Sequence, residues 1–359
     1  MEGQPRPDPC GYGAMGRNRK VVTMSQETPA TDRPPTTALA EAAGMASHAP
    51  SVHNTQPWRW TVLPGSLELR VVRDRQLAAT DPEGRLVGIS CGTALHHARL
   101  ALAAEGWTPV VERMPDPAQP DLLARLTGLR HTGADPDAMH MVQCMQVRHT
   151  DRRPVSEEPV PTAALGEIDR AATREGVNLQ VLDDEQKLQL AAAAQHAAEV
   201  EAEDPQMREE LAYWTSRACT GTGLPAEVLP EQAPRTTVPV RDFGRPGSLP
   251  VGPGHDRAAV YGILWGTEDE PDSWLRAGEA LSAAWLTATR LGVSLVPLSG
   301  VVEVEGTRQV LRQLLAGLGF PYIALRLGIA DPTHAGPPHT PRLDTTQTVD
   351  TSAVRDQLS

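Results

Sequence analysis

Lysine is almost missing from this chain: it stands only at positions 20 and 187, so the positive charge is arginine. Arginine is the better residue for bidentate phosphate contacts, although a compositional bias of the genome accounts for the same excess without any function. Cysteine is scarce as well. Cys10, Cys91, Cys144 and Cys219 lie far apart and form no Cys-x-x-Cys pair. That spacing fits neither a structural zinc site nor a disulfide framework, and a reduced cytoplasmic setting is expected. No apolar run approaches the length needed to cross a bilayer, so a soluble protein with no membrane partner is expected. The opening segment, Met1 to Pro35, is rich in Pro and Gly and lacks the apolar centre of a signal peptide. Finally, the net charge of −12 sets aside nucleic acid and anionic membrane surfaces as main partners. It leaves room for an anionic cofactor, because a phosphate needs only a few local donors.

What is present is enough for a sizeable fold. With 359 residues, 40% of them hydrophobic, the chain can form two ordinary domains or one duplicated unit. Residues 1–35 hold Pro clusters and no hydrophobic period, and they read as a disordered tail. Met24 is a second candidate start, which would leave 1–23 as a tail or outside the protein. The tail also spells Gly11-Tyr12-Gly13-Ala14-Met15-Gly16, a G-x-G-x-x-G string. No strand feeds it and no βαβ unit follows, so it is set aside as a decoy.

From Thr36 the pattern changes. Thr36-Thr37 can cap a short helix with Leu39, Ala42, Ala43 and Ala46 on one face. Ala49–Trp60 reads as helix end, loop and then strand, and a hairpin turning near Pro64-Gly65 brings in Leu67, Leu69 and Val71. Ser90 can cap a helix running to Gly106, with a strand at Thr108–Arg113 beyond it. The second half offers a similar order: a helix capped by Asp272 or Ser273 and ending at Leu291-Gly292, a strand at Val293–Leu298, a helix at Thr307–Ala316, and a strand at Tyr322–Leu327. Capped helix, glycine stop, strand and helix thus occur once in each half, a weak internal repeat. Glu199–His255, acidic and then rich in Pro and Gly, is long for a compact domain; a lid or a disordered stretch both fit it.

Two segments carry chemistry. In Arg148-His149-Thr150-Asp151-Arg152, arginines at i and i+4 with a hydroxyl between them can converge on a phosphate, or the segment is a solvated loop paired with Glu157 and Glu158. In Pro50-Ser51-Val52-His53-Asn54-Thr55-Gln56-Pro57-Trp58, the Asn and Gln amides suit the edge of a heterocycle, or they build a turn into the strand. Residue types alone do not choose between these. His96-His97 has no metal ligands at the right offsets, and packing is the simpler role for it. For His53 a structural hydrogen bond is the simpler role. No Ser-His-Asp or paired-carboxylate site can be assembled without inventing proximity.

Pro50-Ser51-x-x-Asn54-x-Gln56-Pro57-Trp58 resembles the loop that nitroreductase-family flavoproteins place against FMN. Arg148–Arg152 followed by Pro159-Val160-Pro161 resembles the family's opening Arg-x-Ser/Thr-x-Arg/Lys motif. Val296-Pro297-Leu298-Ser299-Gly300 looks like its flavin-facing loop, and Arg342 stands where members often carry a last phosphate-binding Arg. In the typical family the basic motif precedes the amide-rich loop in one short chain, and homodimers build two FMN sites at their interface. Here the order is reversed and each half lacks what the other has. The resemblance therefore implies an α+β, nitroreductase-like fold of two fused halves, an intramolecular pseudo-dimer able to act as a monomer and keeping one composite site, as in the Acg-like branch of the family. The implied halves are 36–135 and 136–345, with a lid at 199–255 and a C-terminal tail at 346–359.

By the same resemblance, Arg148 and Arg342 would hold the FMN phosphate, with Thr150 and Arg152 at the ribityl chain and pyrimidine side. Ser51 and Asn54 would bond from the other half. The backbone N–H groups of Ser299 and Gly300 would meet the ring near N5 and O4, where many relatives carry Glu in place of Ser299. Pro50, Gln56, His149, Pro297 and Leu298 complete the candidate cofactor-binding set, and no metal is expected. The implied activity is an FMN-dependent oxidoreductase passing hydride from NAD(P)H to a small nitro, quinone or enone-type acceptor, with the chemistry carried by the flavin. Two alternatives stand beside it: a non-enzymatic FMN-sequestering protein with a closed lid, and a flavin-dependent dehydrogenase or oxidase of a biosynthetic intermediate.

Overall fold

The computed structural model describes residues 35–217, 221–252, 254–331 and 336–358. The Gly11–Gly16 string, Cys10, Cys219 and all of the expected tail at 1–35 except Pro35, which opens the first helix, lie outside the described residues. The first half runs α1 (Pro35–Met45), β1 (Trp58–Leu63), β2 (Ser66–Val71), α2 (Arg85–Ala104), β3 (Trp107–Arg113) and β4 (Leu122–His131), and α3 (Pro136–Val147), within the expected second half, follows it. The second runs α4 (Thr162–Arg174), β5 (Asn178–Val181), α5 (Asp184–Glu203), α6 (Pro205–Thr215), β6 (Val260–Gly266), α7 (Pro271–Arg290), β7 (Val293–Leu298), α8 (Gly300–Glu303), α9 (Glu305–Leu314) and β8 (Phe320–Ile329).

The duplication is plain in the sheets. The first has strand order β3-β4-β2-β1 and the second β7-β8-β6-β5, so that third, fourth, second and first strands of each half lie side by side in the same sequence. Every one of these pairings is antiparallel. The repeat is not quite the one expected from the sequence. In the first half β4 follows β3 directly, whereas α8 and α9 separate β7 from β8. In the second half, residues 182–259 stand where the first half has only the turn at Pro64-Gly65. The described part of that insertion has a small core of its own, formed by Leu211, Leu224, Val228, Leu229 and Phe243.

The helices α2 and α7 form the seam. Gly92 and Gly278 are each the eighth residue of their helix, and they face one another. A Cβ on Gly92 would lie 2.8 Å from the Gly278 Cα and inside the Leu275 carbonyl; one on Gly278 would lie 2.7 Å from the Gly92 Cα and inside the Ile89 carbonyl. This reciprocity is that of a two-fold contact between equal surfaces. Both helices are buried nearly all round, as a helix running through the middle of a molecule must be. At their twelfth positions His96 Nδ1 meets Ser282 Oγ across the seam at 2.9 Å. Both end at a glycine, Gly106 and Gly292, with positive φ.

The helix starts differ from expectation. The first begins at Arg85, five residues before Ser90, and Asp81 accepts the Val87 N–H from outside the helix (2.9 Å). The second begins with Pro271 in its first turn, and Asp272 pairs with Arg276 instead of capping. The closing segment is no loose tail. It crosses back to the first half, where β9 (Val349–Asp350) adds a parallel fifth strand beside β1, and Val349 and Val354 enter that half's core. Among the described residues no helix is long and apolar enough to cross a membrane, and no cluster of three or more His, Cys, Asp or Glu could hold a metal.

A side chain at the crossing has backbone on every side and nothing that can yield. Gly92→Val is expected to lower the thermal midpoint sharply or abolish soluble folding, at a cost above the usual 1–3 kcal/mol or so of core overpacking. Gly306→Ala, which meets open space in α9, should keep or slightly raise it. Equal midpoints for the two variants would show that the close crossing is not required.

Candidate functional site

A cavity of about 1330 Å3, counting its open mouth, lies along the seam. Its first wall is the amide-rich loop. His53, Asn54 and Gln56 all have positive φ (45°, 56° and 50°), a density of left-handed residues that costs free energy and needs support. The support is polar. Ser51 Oγ accepts the Gln56 N–H (2.9 Å), Ser90 Oγ accepts the Val52 N–H (3.2 Å), and Thr93 donates to the Pro50 carbonyl (2.6 Å). Ser90, expected as a helix cap, is thus a tie between α2 and this loop.

The second wall is the basic loop that leaves α3. Its anchor is the buried pair of Arg326 on β8 and Asp256, 2.9 Å apart. Arg326 also donates to the carbonyls of Asp151 and Arg153, both at 2.8 Å, while Asp256 accepts the Val155 N–H at 2.7 Å. Asp151 does not face the cavity as a free acid. Burial pushes its carboxyl up, but Arg153, bonded at 2.8 and 2.9 Å, holds it below the ordinary value. Arg148, Thr150 and Arg152 are left to line the space. The third wall is Val296–Val301, at the end of β7 and the start of α8; Ser299 and Gly300 lie in that wall, where a helix's first N–H groups have no acceptor within the helix.

Of the expected set, Pro50, Ser51, Asn54, Arg148, Thr150, Arg152, Pro297, Leu298, Ser299, Gly300 and Arg342 line this one cavity. Gln56 and His149 do not. Gln56 is fully buried, donating to the Gly221 carbonyl (2.7 Å) and accepting from Leu343 N–H (3.1 Å). Asn54 works in the same way: it donates to the carbonyls of Gly223 (3.1 Å) and Pro341 (2.9 Å) and accepts from Arg342 (3.0 Å). The two amides therefore join three stretches of chain. His149 turns away, its Nδ1 3.1 Å from the Val147 carbonyl and its ring edge against His339.

The electrostatics are unusual. Arg148 is 5% exposed and stacks 4.3 Å over the Trp285 ring, and its Nε and Nη1 have no hydrogen-bond partner. Arg342 leaves its Nε unpartnered too. Among the described residues no carboxylate pairs with either. Burial lowers Arg148 to about 9, with Arg342 adding to the effect, and lowers Arg342 to about 10. Arg152 also falls to about 10, through burial and then Arg326. All three stay charged at neutral pH, and buried charge without a counter-charge costs several kcal/mol or so. Such a site favours an anion.

Arg241, Glu201, Glu303, Phe243 and Trp285 were not anticipated. Arg241 is bonded to His53 Nε2 (2.7 Å), to Glu201 (3.2 Å) and to Glu303, so it ties the 221–252 segment to α5, α8 and the amide-rich loop. Nothing local marks these residues, since each contact spans a long stretch of sequence.

The two-fold relation also shows what occupies the place equivalent to the cavity. The α2 residue Thr93 and the α7 residue Trp285, both cavity-lining, have Glu279 and Arg99 at the equivalent helix positions. There Glu279, wholly buried, bonds Arg99 (2.6 Å) and Arg113 (2.6 Å), and Arg99 also bonds Glu175 (2.7 Å). Ion pairs of the chain's own side chains fill the mirrored place.

No family model matches the chain. Curated relatives do. A Mycobacterium tuberculosis protein with the name "Putative NAD(P)H nitroreductase Rv3131" is 39% identical over 315 residues, covering 85% of this chain and 89% of that one. Another, "Putative NAD(P)H nitroreductase acg", is 33% identical over 310 residues, covering 86% and 93%. Among solved structures, a nitroreductase with bound FMN from Bacteroides fragilis aligns with 57% of this chain and 96% of its own, at 14% identity and a TM-score of 0.36. The chain belongs to the nitroreductase family, on its Acg-like branch.

Because the Arg326–Asp256 pair is buried, Arg326→Met should cost about 3–5 kcal/mol in urea unfolding by stranding the carboxylate. Arg73→Met, at a half-exposed pair with Asp121, should cost under about 1 kcal/mol. Similar small losses for both would mean that the basic loop is held by something other than this clamp.

Proposed function

We propose that the cavity holds one FMN per chain and that the protein is an FMN-dependent oxidoreductase taking hydride from NAD(P)H. The observation that carries this reading is the pair of guanidinium groups of buried Arg148 and half-buried Arg342, with unspent donors and no carboxylate. A phosphate supplies what they lack, and the forked geometry of arginine suits it. The family's names for its members and the FMN of the Bacteroides fragilis structure agree with it.

In this assignment Arg148 and Arg342 grip the phosphate. Thr150 and Arg152 face the ribityl chain and pyrimidine side, and positive charge at that edge stabilises an anionic reduced ring. Pro50, Ser51 and Asn54 bound the ring from the first half; Pro297, Leu298 and the backbone of Ser299 and Gly300 bound it from the second. Gln56 serves by bracing the loop, and His149 has no part. The flavin supplies hydride transfer, and small nitro, quinone or enone-type molecules are the acceptor class. The seam lies within one chain, so a monomer suffices.

A second reading has one observation in its favour. Arg241 and Phe243 bring the inserted segment against the cavity, with Arg241 held by two carboxylates and His53. A lid this well fastened would keep nicotinamide away and make the protein a flavin store. The purified protein should be yellow and should bleach without air on addition of NADPH or NADH. A flavin that responds only to dithionite would favour storage, and a colourless protein that cannot be loaded with FMN would remove the cofactor.

Arg148→Ala should weaken FMN binding by roughly tenfold or more, as loss of a charge-assisted contact implies, while His149→Ala leaves it near the parent value. The apoprotein of Arg148→Ala should unfold no earlier than the parent, because an uncompensated buried charge has been removed. Equal flavin content in the two variants would count against the phosphate assignment.

A further inference from the structure

His53 lies in the cavity wall on a left-handed backbone, 9% exposed. Its Nε2 is 2.7 Å from Arg241 Nη1. A guanidinium nitrogen can only donate, so Nε2 is the accepting nitrogen and the imidazole proton sits on Nδ1. Arg241 is in turn immobilised by Glu201 and Glu303, which makes this tautomer a fixed property of the site. Burial, then the charges of Arg241 and Arg152, hold the ring well below its ordinary pKa, so it stays neutral.

The other nitrogen is the informative one. Among the described residues Nδ1 has no hydrogen-bond partner, yet it is not among the side-chain atoms sealed from solvent without one. Since His53 lines the cavity, Nδ1 is the ring nitrogen left to meet a molecule there. Phe243 meets the ring edge-on at 6.2 Å and supplies no acceptor. The result is a single N–H donor, of fixed direction and without charge, presented to whatever shares the cavity.

We propose that His53 is a specificity-determining residue whose Nδ1–H binds an oxygen of the acceptor substrate, selecting carbonyl, quinone or nitro compounds over hydrocarbons of the same shape. This rests on reading the cavity as a flavin and substrate site. A neutral imidazole donor polarises such an oxygen without giving up its proton. Arg241 acts through His53 as a positioning residue. Charge plays no direct part, because the guanidinium is already matched by Glu201 and Glu303.

The test uses the FMN-loaded protein and two isosteric probes, acetophenone and α-methylstyrene, read as shifts of the flavin absorption band in the absence of any reductant. Acetophenone should bind roughly fivefold or more tightly than α-methylstyrene, the worth of one hydrogen bond. His53→Gly, which tolerates the positive φ and has no donor, should erase the preference. His53→Asn, whose amide N–H stands near the place of Nδ1, should restore most of it. Nitrogen NMR of histidine-labelled protein should show His53 protonated at Nδ1 and should report a shift of that nitrogen with acetophenone only. An unchanged preference in His53→Gly, no preference in the parent, or a proton found on Nε2 would each overturn the proposal. Failure of FMN loading would instead defeat the cofactor reading, while the NMR tautomer would still stand or fall on its own.

Discussion

Everything in this molecule hangs on the place where Gly92 meets Gly278. Two buried helices cross with backbone against backbone, and their two halves become one body. The crossing fixes how far apart the facing loops lie and therefore how wide the cavity is. It also defines the two-fold relation that makes the cavity and the Glu279 network counterparts. At one of the paired places the side chains leave a space bounded by arginine; at the other, arginines are spent on carboxylates. A duplicated fold thus holds an open cavity at one of two equivalent places and a packed ion-pair network at the other.

The cavity itself departs from what a stable core would choose. Arg148 is buried and Arg152 and Arg342 are half-buried, with too few anions around them. The amide-rich loop carries three left-handed side-chain-bearing residues within four positions. Both features cost free energy, and both are held by surroundings that over-determine them, the Arg326–Asp256 clamp on one side and the Ser51, Ser90 and Thr93 ties on the other. Departures from the stable choice gathered in one place are the physical signature of a binding site.

Legibility in the sequence followed range. Pro50–Trp58 and Arg148–Arg152 could be read because each packs its chemistry into a few neighbouring residues. The long buried helices were visible as helices, but Ser90 and Asp272 misled as caps: the polar support for the first start comes from Asp81 farther back, and the second opens on Pro271. Strand β4 went unread, and so did the shared strand order, since sheet pairing leaves no short-range mark. Arg241 was illegible for the same reason, with its His53 partner 188 residues away. Gln56 spends its amide on backbone and does not line the cavity; an amide's two donors and its acceptor look alike whether they will meet a ligand or a backbone.

The return of the closing segment to the first half has a consequence for how the protein behaves at low abundance. In a two-chain protein the composite cavity exists only as long as two copies find each other, and it is lost on dilution. Here the stretch bearing Arg342 leads straight into β9, which is paired with β1, so the last arginine is delivered from within the same molecule. Assembly is then governed by an effective concentration set by the chain's own length, not by copy number.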